Sequence, residues 1–208
     1  MPNWCDNVLL ITLPKNHRLV NKFCDIVDKA GEPFGLLNLI YPMPKHQPDV
    51  KKPNAFFATG GLGSEEQKLY GRNNWYDWSV ENWGTKWDID SHDIDCTMIE
   101  NEDSLTFEMV FQSAWAPPLQ ALHKSGLSFD LYYYESGMAF AGYASDSQDN
   151  YISLTDDVFK NTFENKDDYR RHLKKTILGM GVPESFFSYY DVDYLFYHDL
   201  HDAEEDDD

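Results

Sequence analysis

Leu105-Thr106-Phe107-Glu108-Met109-Val110-Phe111 sets apolar residues at 105, 107, 109 and 111 against Thr106 and Glu108, and Gln112 continues the polar set. Successive side chains of an extended strand point to opposite faces, so this run predicts a strand with one face turned to a core. The preceding Ile94 to Glu100 is also strand-like, and the polar Asn101-Glu-Asp-Ser104 between the two predicts a hairpin. Downstream, Pro117-Pro118 opens a short helix through Leu119, Ala121 and Leu122 to Gly126, since proline is tolerated in a first helical turn. Leu127 to Tyr134 and Met138 to Tyr143 then read as two strands around a tight turn at Glu135-Ser136-Gly137.

Upstream, Asn7-Val-Leu-Leu-Ile-Thr-Leu13 is an apolar, β-branched run bounded by polar residues and Pro14, which predicts a buried, central first strand. Asn16 is the expected N-cap of a helix whose Leu19, Phe23, Ile26 and Val27 share one face, with a stop at Gly31 and Pro33. The resulting order is strand, helix, strand, strand, helix, strand. That order predicts an α+β fold of the ferredoxin-like class: a split βαβ antiparallel sheet with helices on one face, over residues 1–145.

Residues 34–87 read as an insertion in that frame. Leu36 to Ile40 begins it as a strand or short apolar segment, and prolines at 42, 44, 48 and 53 turn it into a loop. From Ser64-Glu65-Glu66 a helix is expected to reach about Trp83, where Gly84 supplies the left-handed C-terminal position. Four of the six tryptophans, Trp75, Trp78, Trp83 and Trp87, fall here, and their spread around the helix and past its stop predicts a structural clamp between layers. Beyond Asp146 an acidic, mainly helical extension (146–201) is expected. In it Thr155 and Asn165 act as caps, Tyr169, Leu173 and Ile177 form a stripe, and a run of aromatics from Phe186 to Tyr197 docks back on the sheet. Residues 202–208 are expected to be a disordered acidic tail.

Several stretches resemble the phage and plasmid proteins called Api92-like or YubB-like: Met1-Pro-Asn-Trp4-Cys5 with Asn7, Tyr41-Pro42-Met43-Pro44, Trp75-Tyr-Asp-Trp78 through Asn82-Trp83-Gly84-Thr-Lys-Trp87, and Phe111 to Pro118. The resemblance covers residues 1 to about 145 and implies a ferredoxin-like domain of mobile-element origin, with the activity left open. Family members often carry Cys where this chain has Ser79.

The formal charge of −19 opposes direct binding of nucleic acid, because phosphate contacts need Lys and Arg. A partner with a basic surface, such as a host protein, is the expectation. With no basic-apolar leader and no apolar run of membrane length, a cytoplasmic, membrane-free protein is expected. Cys5, Cys24 and Cys96 are an odd, widely spaced set that fits neither a disulfide framework nor a zinc site.

Among candidate sites, Asp88, Asp90, His92, Asp93 and Asp95 form the densest acidic group, but they lack calcium-loop spacing and read as solvated. His198, Asp199, His201 and Asp202 form a second group in the tail. No triad signature accompanies Cys5 or His123, so no catalytic residue, metal or cofactor is assigned. Gly61, Gly63 and Ser64 are the expected anion-binding position, with glycines ahead of a helix start. A recognition surface for RNA on the middle strands is opposed by Glu108 and by the charge. The basic helix face Arg170, Arg171, Lys174 and Lys175 is expected to pair with neighbouring acids.

Two functional classes follow. One is a non-enzymatic acidic binding protein of a phage or plasmid, inhibiting a host defence or nucleic-acid-binding protein by charge mimicry. The other is a small-ligand protein or enzyme using a crevice beside the tryptophan helix, with Trp75, Asp77, Trp78, Glu81, Lys86 and Trp87 as ligand-binding residues. A phage structural or assembly role is a third alternative.

Overall fold

The computed structural model describes residues 3–44, 75–154 and 166–190. Six strands form one antiparallel sheet: β1 (Trp4–Pro14), β2 (Asp95–Glu100), β3 (Ser104–Ala114), β4 (Phe129–Glu135), β5 (Phe140–Ser145) and β6 (Asp149–Ser153). Their order across the sheet is β2-β3-β1-β4-β5-β6, with every neighbour pair antiparallel. Among the described residues the helices are α1 (Val20–Val27), α2 (Leu36–Ile40), α3 (Trp75–Trp83), α4 (Leu119–Ser125), α5 (Lys166–Gly179) and α6 (Phe186–Tyr189). The chain is therefore an α+β protein.

Alternation along the strands divides the core in two. Leu9, Ile11 and Leu13 of β1, Phe107 and Met109 of β3 and Leu131 and Tyr133 of β4 face one way, against Phe23 and Ile26 of α1, Leu36 and Leu37 of α2, Trp78 and Trp83 of α3 and Leu122 of α4. Val8, Tyr132, Tyr134, Ala141 and Ile152 face the other way, against Leu173 and Ile177 of α5, Val182, Phe186 and Tyr190. The described helices of residues 1–145 thus lie on one face of the sheet, and the extension's α5 and α6 cover the other. Tyrosine hydroxyls fasten the second layer: Tyr132 shares a hydrogen bond with Ser185 Oγ (2.8 Å), Tyr190 donates to Asp6 O (2.9 Å) and Tyr189 donates to Glu108 Oε2 (2.9 Å).

Three local expectations need correction. Leu36–Ile40 is a short helix, not a strand, because Asp88 supplies the acceptors that its first amides lack (below). Asn16 does not cap α1. The chain turns twice after β1, through His17 N to Pro14 O (2.8 Å) and Val20 N to His17 O (3.1 Å), so the helix starts at Val20 with Leu19 in the cap position. The segment after Asp146 continues the sheet as β6 before any helix. Only Ile152 of its five residues is buried, so its pattern carries almost no apolar alternation. Gly126 ends α4 at φ 70°, in the left-handed conformation that glycine enters without a Cβ clash.

Candidate functional site: an acidic, aromatic cleft

The segment between α3 and β2 builds the site. Gly84 leaves α3 at φ 86°, its amide reaching back to Ser79 O and Val80 O (both 3.2 Å), and a Cβ there would stand 1.8 Å from Gln120 Oε1. Thr85 Oγ1 then donates to Ala114 O (2.8 Å), which pins the departing chain to the end of β3. Ser79, fully buried, has its hydroxyl 2.9 Å from both Tyr76 O and Lys86 O, closing the loop on the helix it has left.

The tryptophans divide between this framework and the surface. Trp78 is buried, stacked on Tyr41 (centroids 6.1 Å, 12°) and edge-on to Trp83 (5.5 Å, 84°). Trp83 is also buried and donates its indole N–H to Tyr41 O (2.9 Å). These two are core. Trp75 is half-buried against Tyr76, and Asp77 and Glu81 lie on the exposed side of α3. Lys86 sits among three rings, its Nζ 4.5 Å from the centroid of Trp87, 5.0 Å from Trp115 and 5.9 Å from Tyr76. Trp87, 39% exposed, is held between that ammonium and Trp4 (5.9 Å). Gly61, Gly63 and Ser64 lie outside the described residues, as do Thr155, Asn165 and the 198–202 cluster.

Trp87 opens onto a cleft of about 830 Å³ where β2 stops short and the outer side of β3 runs on without it. Its walls hold Trp4, Trp87, Tyr189 and Tyr190 together with Asp6, Asp88, Asp90, Asp93 and Asp95; among the described residues no Lys or Arg lines it. Of the six residues expected to bind a ligand, only Trp87 reaches this cleft; Trp75, Asp77, Trp78, Glu81 and Lys86 do not line it.

The aspartates are not equivalent. Asp88 is committed to structure: Oδ1 accepts from Leu37 N (2.7 Å) and Ile89 N (2.8 Å), and Oδ2 from Asn38 N (3.2 Å) and Asn38 Nδ2 (2.8 Å). Gly35 leaves room for it, since a Cβ there would fall 1.8 Å from Asp88 Oδ2. Asp90 accepts from His92 N (2.8 Å) and so starts the short 3₁₀ turn Ser91–Asp93. Asp93 and Asp95 are exposed, Asp95 lying 3.8 Å from Lys29 Nζ.

Behind the cleft lies a buried polar knot that the residue pattern did not announce. Asn7, fully buried, donates from Nδ2 to Cys5 O (2.7 Å) and Ser113 Oγ (2.9 Å), and Ser113 Oγ donates to Ala116 O (2.8 Å). Burial, then the charges of Asp6 and Glu135, push the thiol of Cys5, beside Asn7, above the ordinary range and so disfavour the thiolate. Burial likewise pushes the Cys96 thiol up to about 12.

Three of the basic residues of α5 pair locally. Arg170 bonds Asp167 (2.9 Å), Arg171 bonds Asp168, and Lys174 bonds Glu184 (3.0 Å). No described helix is long and apolar enough to cross a membrane. No protein-family model, curated protein or solved structure matches the chain.

Proposed function

We propose that the chain is a non-enzymatic, acidic binding protein that engages a basic segment of a partner protein, with the Trp4–Trp87 cleft as the point of engagement. The observation that carries this reading is the make-up of the cleft walls: aromatic faces beside carboxylates, with no described basic residue lining them. Aromatic faces attract cations, and a lysine or arginine lying against the aromatic wall gains further from nearby carboxylates. The formal charge of −19 adds long-range attraction for the same class of partner.

The same proposal extends to kinship and setting. The strand order β4-β1-β3-β2, with α1 between β1 and β2 and α4 between β3 and β4, supports a ferredoxin-like split βαβ domain carrying an insertion. The Trp75–Trp87 segment supports a place among Api92-like or YubB-like phage and plasmid proteins, acting in the host cytoplasm on a host defence or nucleic-acid-binding protein whose basic surface normally meets phosphate.

A hexalysine peptide titrated against the protein, followed by tryptophan fluorescence, tests the binding mode. Binding should weaken about tenfold in Trp87→Ala and in Asp90→Asn/Asp93→Asn, and should fall steeply with added salt. Affinity unchanged in both variants would sink the assignment of the cleft.

A further inference from the structure

We infer that the outer edge of β2 accepts an extended lysine- or arginine-bearing segment of a partner as a seventh strand, an inference that rests on the chain being an acidic binding protein. Backbone geometry makes the edge available. Asn101 N donates to Ser104 O (2.9 Å) at the hairpin end, so 101 and 104 form a hydrogen-bonded pair. Antiparallel ladders alternate such pairs with non-bonded ones. Following the register from Glu100↔Leu105 to Asp95↔Val110, Ile99, Thr97 and Asp95 bond to β3, while Cys96, Met98 and Glu100 turn their N–H and C=O outward.

The two sheet edges differ. Along β6, Gln148 Nε2 and Asn150 Nδ2 both donate to Gly181 O (2.9 Å), which holds the turn after α5 against that side. Just before β2, Lys29 Nζ donates to His92 O (2.9 Å) and Ile94 O; along Cys96 to Glu100 no comparable cover lies among the described residues, and Met98 (40%) and Ile99 (55%) are exposed there. The strand also lacks the usual protections of an open edge: it contains no proline and no lysine, and its register with β3 has no bulge.

Charge selects the occupant. Asp95 and Glu100 stand at the two ends of β2, with Asp93 before it and Glu102 and Asp103 after it; Lys29 and Lys15 offset only the first two. Two copies of this chain pairing through Met98 would bring these acids together, so self-association is opposed. A strand with apolar residues at its centre and lysine or arginine toward its ends meets Met98 and Ile99 in the middle and carboxylates at the flanks.

The test uses a peptide of roughly ten residues alternating Lys with Val and Thr, and the same peptide with alternate amides N-methylated so that it cannot complete a ladder. The unmethylated peptide should slow hydrogen exchange at the Cys96, Met98 and Glu100 amides by about tenfold or more, and should bind about tenfold tighter than its methylated form. Met98→Pro removes an outward donor without touching the β2–β3 ladder, so it should weaken the unmethylated peptide by a similar factor, with near-ultraviolet circular dichroism reporting its fold. Unprotected amides in the wild type, with equal affinity for both peptides, would overturn the inference. In that case a loss of binding in Trp87→Ala would leave the cleft reading standing, whereas no binding by either peptide would remove both. A dimer of the free protein that Met98→Pro dissociates would also overturn it, by assigning the edge to a second copy.

Discussion

Replacing Asp88 with alanine removes the acceptor of four N–H groups at once, and the structure allows the loss to be sized. Leu37 and Ile89 are buried residues whose amides both end on Oδ1. A buried donor left without a partner costs about 1–3 kcal/mol, while Asn38, which is exposed, can turn to water at little cost. Two such donors put the expected destabilisation of Asp88→Ala at about 2–6 kcal/mol. Asp88→Asn keeps one oxygen in place for Leu37 and Ile89 but replaces Oδ2 with an NH2 group that cannot accept from Asn38 N and Nδ2; those exposed donors turn to water, for a loss of about 1 kcal/mol. Gly35→Ala attacks the same contact from the other side, because its Cβ would lie 1.8 Å from Oδ2 and would force the carboxylate off the helix. Urea unfolding followed by tryptophan fluorescence gives the free energies. The double variant Gly35→Ala/Asp88→Ala should be little worse than either single change, since both break one arrangement. An Asp88→Ala loss below about 0.5 kcal/mol, or full additivity in the double variant, would refute the assignment of Asp88 as the long-range cap of α2.

Three further outcomes are expected. Asn7→Ala should cost about 2–3 kcal/mol and Ser113→Ala about 1 kcal/mol, with a coupling of about 0.5–1.5 kcal/mol in a double-mutant cycle; zero coupling would mean that the buried knot is not a unit. Gly84→Ala should lower stability by about 1–2 kcal/mol for the left-handed backbone alone, and trimming Gln120 to alanine in the same chain should relieve only the steric remainder, as read by thermal unfolding. Burial, reinforced by Glu108, pushes the Tyr189 hydroxyl up to about 12, and burial with Asp130 does the same for Tyr143. Both folded values lie above the free tyrosine value near 10, so their contribution to stability is fully present below about pH 10 and is lost as pH rises towards 12. Deprotonation of Tyr189 or Tyr143 itself at pH 10, followed by its own ring NMR signals while α5 and α6 stay packed, would contradict this.

How much of this could be read in advance depends on how local the cause is. β3 was legible because Leu105, Phe107, Met109 and Phe111 all point into one core while Thr106 and Glu108 do not. The ends of α3 and α4 were legible because Gly84 and Gly126 take the positive φ found there without the Cβ strain other residues meet. α2 was not, since its N-terminal acceptor comes from Asp88, fifty-one residues away from Leu37. β6 was missed because an edge strand with a single buried residue has no period to detect. Trp78 and Trp87 look alike in a list of residues, yet one is core and the other walls a cleft; what separates them is the turn at Gly84, after which the chain leaves the helix. The cleft itself gathers Trp4, Trp87 and Tyr189 from three distant segments, so nothing in their spacing could have announced it.

The place of β1 in the middle of the sheet has a consequence for synthesis. Asn7 pairs with Phe111, 104 residues later, and at about 5–20 residues per second the ribosome needs roughly 5–20 s to supply that partner. Until then the run Val8-Leu-Leu-Ile-Thr-Leu13 has left the exit tunnel as an apolar strand with neither neighbour made. Its sheet closes late, through contacts far apart in the chain, which slows folding and leaves the nascent protein dependent on whatever shields that strand in the interval.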